Sequence, residues 1–385
     1  MKNWLALTGA ASAAVVIGFA STILIIMQAA QAVGATPAQQ ASWAAVLCYA
    51  MAVTTAILCW TNKMPIITAW STPGAVLISS SAGMSYQTAL GAFCVAGSLM
   101  VLTGLVRPLE RAIERMPAPI AAAMLAGVLV SYVLKVPAAA LAAPWLVVPL
   151  VISFFAIRMF YPMYAVPVIV ILGLVLAAVS GAMGQGCCAI GITALTFDLP
   201  QFQLQAIIGL GLPLYLVTIA SQNLPGFAVL RAGGYQPPVG SSLIITGAAS
   251  MLVSPFGGHA INLAAITASL ATGPEAHPDA GQRWKIMFPY FILYSIVGLA
   301  AMSFVSILGA LPHELVAAIA GLALFGPLMG AMGAMMKQVQ DIEAALVTFL
   351  VTASGFSVFG VGAAFWGLVA GLLIWTVKSM KVALR

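Results

Sequence analysis

The sequence predicts an all-α polytopic membrane protein of about 14 transmembrane segments, arranged as 7+7 inverted repeats. Of its 385 residues, 63% are hydrophobic and only 6% are charged, whereas a soluble domain carries roughly 25% charged residues. The mean hydropathy is +1.11. Apolar runs recur about every 25 residues, as expected for helices that need roughly 20 residues to cross a bilayer. Two of these runs, 65–82 and 257–272, are interrupted at matching places in the two halves.

The uninterrupted apolar runs define the other predicted spans. The first run could pass for a signal peptide, but it is longer than the typical apolar core of roughly 7–15 residues, so we interpret it as a membrane helix. A Gly-rich polar connection at 183–200 separates the two halves. The predicted spans are 5–31, 42–61, 85–106, 117–135, 144–160 and 163–182 in the first half, and 203–222, 239–253, 286–309, 314–335, 340–353 and 355–377 in the second.

The two interrupted runs are predicted to be segments 3 and 10. Each begins with β-prone or Gly-rich residues and continues as a run long enough for only half a membrane helix. Irregular backbone cannot face lipid, so each break must line a cavity or be buried in protein. Paired interruptions of this kind are the best indication in a sequence of a transporter's binding site.

The basic residues predict the orientation. If both interrupted runs cross fully and the N-terminus is cytoplasmic, all but one of the 14 Lys and Arg residues fall on the cytoplasmic side, in agreement with the positive-inside rule. The exception is Lys135. Both termini are then cytoplasmic, and an odd number of crossings in each half makes the repeat inverted. An irregular bundle without internal symmetry stays open as the alternative.

The ionisable residues narrow the class of substrate. None of the eight acidic residues is predicted at mid-membrane, where a cation transporter would usually place a carboxylate, so an anionic or neutral substrate is favoured. His259 is the only ionisable residue inside a break, which suggests proton coupling or contact with an anion. The alternative is a neutral histidine that hydrogen-bonds to a carbonyl of the break.

The starts of the two half-helices are the predicted anion site. Ser71 is an N-cap candidate, Pro73 is favoured at an early helical position, and Asn262 can cap the second half-helix. The unpaired N–H groups and partial positive charge of a helix N-terminus suit a carboxylate, and inverted symmetry would aim the two starts at each other. Alternatively, the caps only satisfy backbone groups. Trp70 could stack on a planar ligand or simply pack.

Polar residues near predicted span ends are further candidates. Span 203–222 is predicted to end in Ser221-Gln222-Asn223, which could turn inward to a ligand or form a cytoplasmic helix end. Gln28 and Gln31, near the end of the first span, are weaker versions of the same case. Aromatic residues near span ends, such as Trp43, are predicted to be interfacial anchors.

Other classes of function find no support in the sequence. It contains no nucleophile elbow, zinc-protease, Walker or CxxC motif, so no catalytic residue, metal site or cofactor is predicted. The five cysteines show no metal spacing, and the adjacent pair Cys187-Cys188 is expected to form no structural disulfide. The positive charges are scattered singly between apolar runs, which excludes a nucleic-acid partner.

Segments 67–75, 107–121, 221–226 and 255–262 together resemble the bacterial benzoate/proton symporter family (BenE type). The resemblance covers nearly the whole chain and implies a fold similar to the uracil transporter, in which segments 3 and 10 are each a short strand plus a half-helix. It implies a core domain from 1–106 and 196–309, and a gate domain from 107–195 and 310–385. Carried over, the substrate cavity would be lined by Trp70, Ser71, Thr72, Gly74, Gln222, Asn223, His259 and Asn262, with His259 as the favoured proton carrier.

The predicted function is secondary active import of benzoate, or a similar small aromatic carboxylate, by proton symport. The anion would be held between the two half-helix N-termini during alternating access in the bacterial inner membrane. The predicted partners are the aromatic carboxylate, the proton and the lipid bilayer, and a homodimer is left open. The alternatives are a transporter of the same fold for a nucleobase or inorganic anion, and a passive channel or facilitator.

Overall fold

The structure is a computed structural model that describes residues 2–81, 83–109, 117–162, 164–184, 191–264, 266–358 and 361–383. Within these ranges, eight helices are long and apolar enough to cross a bilayer when Ala118–Ala142 and Val239–Phe256 are each taken as one helix, and a bent helix pair adds a ninth candidate. The chain is therefore a multi-pass membrane protein. The pair Cys187-Cys188 and residues 110–116 of the basic segment lie outside the described residues.

Among the described residues, the first half of the chain contains helices joined by loops and one short strand. Its last two helices, Pro144–Phe160 and Ala165–Val179, are apolar but have fewer than 18 residues. The elements are α1 Lys2–Ala32, α2 Pro37–Asn62, β1 Thr68–Trp70, α3 Thr72–Ser79, α4 Tyr86–Leu105, α5 Ala118–Val133, α6 Lys135–Ala142, α7 Pro144–Phe160 and α8 Ala165–Val179.

The second half repeats a similar order of elements. A non-helical connection, 191–203, leads into it. The elements are α9 Leu204–Ala232, α10 Val239–Val253, β2 Ile261–Leu263, α11 Ile266–Thr272, α12 Met287–Leu299, α13 Ala301–Gly309, α14 His313–Met335, α15 Ile342–Ala353, β3 Ser357–Val358, β4 Val361–Gly362 and α16 Ala363–Ala383.

The two predicted breaks meet each other inside the protein. Strands β1 and β2 pair antiparallel, with Ala69 opposite Asn262 at the centre of the ladder. Each strand is followed by a half-helix, α3 or α11, as predicted. The pairing continues past the strands, because the N–H of Ser71 donates to Ala260 at 3.0 Å and that of Ala264 donates to Ile67 at 2.9 Å. The backbone polar groups of one break therefore satisfy those of the other, which hydrocarbon could not do.

Helices α4 and α10 pack closely through two pairs of glycines. A Cβ added to Gly97 would lie 2.9 Å from the carbonyl oxygen of Gly247, and one added to Gly247 would lie 2.8 Å from that of Gly97. About two turns further along α4, a Cβ on Gly104 would lie 2.5 Å from the carbonyl oxygen of Gly240. The absence of side chains at these positions lets the two backbones approach, as is common between membrane helices.

We expect Gly247→Ala to lower the free energy of unfolding by about 1–3 kcal/mol, because the new methyl group meets backbone atoms of α4 that cannot move aside. Gly330→Ala is the matched control, since a Cβ at that helical position meets nothing within 4 Å. Thermal unfolding of the two purified variants in the same detergent provides the comparison. Equal melting temperatures would show that α4 and α10 are not held at this distance.

Helix α9 corrects the prediction that a span ends at residue 222. The helix continues to Ala232, and Ser221-Gln222-Asn223 lies within it rather than at its end. Two wider π turns, Ile207–Gly211 and Ile219–Asn223, each end two residues before a proline, Pro213 or Pro225. A proline has no N–H for the carbonyl one turn earlier, and the π turns absorb this mismatch while the helix goes on.

The predicted span 286–309 is not one straight helix. Helices α12 and α13 meet at an angle of 55° around Ala300. At the bend, the Thr193 hydroxyl donates to the carbonyl of Leu299 at 3.1 Å and accepts from the N–H of Met302 at 2.8 Å. A side chain from the connection between the halves thus enters the hydrogen-bond ladder of the helix, which is a recognised cause of a kink.

Candidate functional site

The start of α3 is built as predicted. Ser71 is the N-cap, and its hydroxyl accepts a hydrogen bond from the N–H of Gly74 at 3.1 Å, with Pro73 in the first turn. The N–H of Ser71 already donates to β2, Pro73 has no N–H, and that of Gly74 is used by the cap. Of the four N–H positions that a helix start leaves without an intrahelical partner, only that of Thr72 remains for a ligand.

His259 joins the two breaks. Its Nε2 lies 2.9 Å from the carbonyl oxygen of Ser71, and the indole Nε1–H of Trp43 donates to its Nδ1 at 3.1 Å. Because an indole N–H can only donate and a carbonyl can only accept, the ring is neutral in this geometry, with its proton on Nε2. His259 is fully buried. The contacts are those of the alternative interpretation, a neutral histidine bonded to a carbonyl of the break.

Asn262 does not cap the second half-helix, so that prediction is wrong. The residue is the middle one of β2, and α11 begins at Ile266, four positions later. With the amide oriented to satisfy both of its ends, its oxygen accepts from the N–H of Ser71 at 3.1 Å and its nitrogen donates to Leu263 at 2.9 Å. Asn262 therefore supports the start of α3, the half-helix of the other half.

Asn223 connects α9 to the second break. Its side-chain oxygen accepts from the N–H of Leu263 at 3.0 Å, and its amide nitrogen donates to the carbonyl of Thr218 at 3.4 Å. The close approach of α9 depends on Gly226, where an added Cβ would lie 2.6 Å from that of Leu263. Of the two alternatives left open for Ser221-Gln222-Asn223, Asn223 thus turns inward, but its partners are backbone groups and no ligand contact is shown.

Trp70 packs rather than lining an open space. Its indole Nε1–H donates to the hydroxyl of Thr22 at 2.8 Å, and its ring lies 5.9 Å from that of Phe19, both on α1. Only 4% of the side chain is exposed. The side chains of Thr72 and Gln222 are half-buried and have no hydrogen-bond partner among the described residues. These two are the predicted polar side chains left available to a ligand.

Two residues that contact this site were not predicted as part of it. Trp43, expected to be an interfacial anchor, is fully buried and bonded to His259. The hydroxyl of Thr218 donates to that of Ser71 at 2.9 Å. No sequence motif identifies Thr218, and its position between the two π turns of α9 is seen only in the structure.

Two cavities flank the C-terminal end of α3, away from the breaks. The first, which we call the lysine cavity, has a volume of about 530 Å³ and is lined by residues that include Gln28, Gln31, Ser79, Tyr132, Lys135 and His313. The second, the amide cavity, has a volume of about 450 Å³ and is lined by residues that include Ser80, Ser131, Gln203, Gln205, Thr352 and Phe356. None of the eight residues predicted to line the substrate cavity lines either of these two cavities, whereas the weaker candidates Gln28 and Gln31 line the first.

Comparison with known proteins identifies the family. The family model for the benzoate membrane transport protein, BenE, matches residues 3–377. The chain belongs to the BenE family. This family member is 38% identical to the inner membrane protein YdcO of Escherichia coli over 95% of its own chain and 94% of that protein. It is 32% identical to the benzoate membrane transport protein of Acinetobacter baylyi over 97% of its own chain and 95% of that protein.

Solved structures show the same fold in anion transporters. The transmembrane domain of the cyanobacterium bicarbonate transporter BicA matches this BenE family member with a TM-score of 0.65 at 16% identity, over 96% and 97% of the two chains. The murine solute carrier Slc26a9, an anion transporter in the inward-facing state, matches with a TM-score of 0.61 at 13% identity, over 97% and 68%. The chain thus has the fold of these proteins, and its membership of the BenE family makes it a membrane transporter.

Proposed function

We propose that the protein imports benzoate, or a similar small aromatic carboxylate, by secondary active transport coupled to protons. The observation that carries the proposal is the pairing of two buried strand-to-half-helix breaks inside a member of a benzoate transport family. In a membrane protein such breaks form a substrate site at the interface of the two repeats. The 32% identical benzoate transport protein of Acinetobacter baylyi supports the choice of substrate.

We propose that about 14 segments form 7+7 inverted repeats. The pattern of helix packing supports this assignment. The extensive contact of α4 with α10 corresponds to that of α2 with α12, and the contact of α7 with α8 corresponds to that of α15 with α16. Helix α5 packs on α14, and β1 pairs with β2. In an inverted repeat the two members of each of these pairs would occupy equivalent positions in the two halves.

The same packing supports the division into a core and a gate domain. The core would comprise 1–106 and 196–309, where α4 packs on α10, and α2 packs on both α12 and α10. The gate would comprise 107–195 and 310–385, where α5 packs on α14 and α15. Both breaks lie in the core, so movement of the core against the gate would expose them to either side in turn.

The substrate carboxylate would bind at the start of α3. The N–H of Thr72 is the backbone donor left there, and the partial positive charge of the half-helix adds to its attraction. Thr72 and Gln222 would supply polar side chains, and Trp70 would have to leave its packing against α1 to form an apolar wall beside them. Ser71, Gly74, Asn223 and Asn262 would shape the site through the contacts described above, rather than by direct binding.

The proton-coupling role of His259 remains a prediction. The hydrogen bond from Trp43 limits when the ring could accept a second proton. A proton on Nδ1 would face the indole N–H of Trp43, so that two donors would oppose each other. His259 could therefore take up a proton only when Trp43 moves away. Coupling through His259 would require this contact to open, through a change in either side chain or a shift of α2 relative to the second break.

The proposed location is the bacterial inner membrane with both termini in the cytoplasm. This orientation rests on the basic residues, all but one of which it places on the cytoplasmic side. The related protein of Escherichia coli is an inner membrane protein. A homodimer stays a prediction.

Uptake by proteoliposomes tests the function. With an imposed inward proton gradient, we expect labelled benzoate to accumulate above its external concentration, and to equilibrate without accumulation when the gradient is collapsed. Excess unlabelled benzoate should compete, whereas uracil, sulfate and bicarbonate should not. If labelled benzoate only equilibrates, whether or not a proton gradient is imposed, the result would instead favour a passive facilitator.

An inorganic anion is the second candidate substrate. The fold that the chain shares with a bicarbonate transporter favours it. Competition by bicarbonate or sulfate, together with failure of benzoate to compete, would support this candidate in the same assay.

A further inference from the structure

Lys135 is the one basic residue that the proposed orientation places on the external side of the membrane. It begins α6, directly after α5, and lines the lysine cavity. Its Nζ lies 4.4 Å from the ring centroid of Tyr132, which holds the ammonium group at the cavity wall. Among the described residues, Lys135 forms no ion pair. The side chain is exposed, so its charge is accessible to an anion in the cavity.

The lining of the lysine cavity suits an anion. It contains no Asp or Glu, and it includes the amides of Gln28 and Gln31, the hydroxyls of Ser79 and Tyr132, and the imidazole of His313. All five groups can donate hydrogen bonds. The amide cavity on the other side of α3 has no charged residue in its lining. The two cavities thus differ in the positive charge that only the first provides.

The lysine cavity is connected to the proposed substrate site by one short helix. Ser79, which lines the cavity, is the last residue of α3, and its hydroxyl contacts that of Tyr132. Thr72 begins the same helix, about 10 Å away at 1.5 Å per residue. The volume of about 530 Å³ admits a small organic acid with bound water.

We infer that the lysine cavity is an external docking site for a small carboxylate, which pairs with Lys135 before it reaches the breaks. The inference rests on the proposed function and orientation. Positive charge in a concave site raises the local concentration of anions and the rate at which they arrive. The amides and hydroxyls around Lys135 would hold the carboxylate without a second formal charge.

Thiol labelling tests the charge of the site without depending on transport. The probe position is Gln31→Cys in a background whose five native cysteines are replaced. Intact proteoliposomes, with protein inserted in both orientations, are treated from outside with an anionic or a cationic methanethiosulfonate reagent. We expect Lys135→Gln to lower the ratio of anionic to cationic labelling rates about tenfold, and Lys135→Arg to preserve it. Lys337→Gln, a matched exposed lysine beyond the other end of α14, should leave the ratio unchanged.

Benzoate itself then tests the ligand class. We expect benzoate to slow labelling at position 31 when Lys135 is present and to have no effect in Lys135→Gln, whose KM for external benzoate should rise about threefold to tenfold. A labelling ratio that does not depend on Lys135 would overturn the inference. The labelling ratio could depend on Lys135 while another small carboxylate, and not benzoate, slows labelling at position 31. This result would support the docking site and contradict benzoate as the substrate.

Discussion

His259→Ala is expected to abolish proton-coupled benzoate uptake while leaving weak binding. The substitution leaves the indole N–H of Trp43 and the carbonyl of Ser71 buried without their partner, at a cost of about 1–3 kcal/mol for each group. It also removes one of the two side chains of the second break, with Asn262, that bond to the start of α3. Uptake in proteoliposomes and equilibrium binding to purified protein measure the two effects. Wild-type uptake by this variant would exclude any role for His259.

His259→Gln separates the two roles that His259 could have. A glutamine amide provides one donor and one acceptor, as the neutral ring does, but it does not titrate. Because the structure shows a neutral ring with both nitrogens bonded, we expect Gln to restore much of the uptake that Ala removes. A Gln variant that folds and binds benzoate normally, but no longer accumulates it with a proton gradient, would instead establish His259 as the proton carrier.

Thr72→Leu is expected to weaken benzoate binding at least about tenfold. The larger side chain would stand at the start of α3 beside the only first-turn N–H that has no partner, and would exclude the carboxylate or leave its charge unpaired. The Thr72 hydroxyl takes no part in the hydrogen bonds that join the breaks, so the fold should survive. Isothermal titration of the detergent-purified protein gives the affinity.

Thr376→Leu is the matched control for Thr72→Leu. Thr376 is an exposed residue of α16 whose hydroxyl donates only to the carbonyl of Leu372. Both variants should show thermal unfolding close to that of the unmodified protein. Unchanged benzoate affinity in Thr72→Leu would contradict the proposed carboxylate site at α3.

The sequence predicted the two breaks because their signals are local. Composition sets the membrane class, and the interruptions at 65–82 and 257–272 appear directly as runs too short for a full span. Ser71 and Pro73 mark the start of α3 through the preferences of an N-cap and a first helical turn, and the structure confirms both. These features depend on residues within one or two turns of each other.

The predictions that failed depend on distant residues. Asn262 resembles a cap in the sequence, but pairing with Ala69 keeps it in a strand. Ser221-Gln222-Asn223 resembles a helix end before Pro225, yet π turns and the bond from the second break to Asn223 keep α9 continuous. Thr193 bends the predicted span 286–309 from another part of the chain.

By itself, the sequence determined that this is a multi-pass membrane protein and where its helices are interrupted. A bilayer provides no hydrogen bonds, so each segment must satisfy its own backbone, and an interruption is visible wherever the local residues cannot. Only the tertiary structure decided which groups satisfy the interrupted backbone: the two breaks pair with each other, and His259, Asn262 and Asn223 complete them. These bonds join residues from opposite halves or separate segments, and no local pattern specifies a partner that far along the chain.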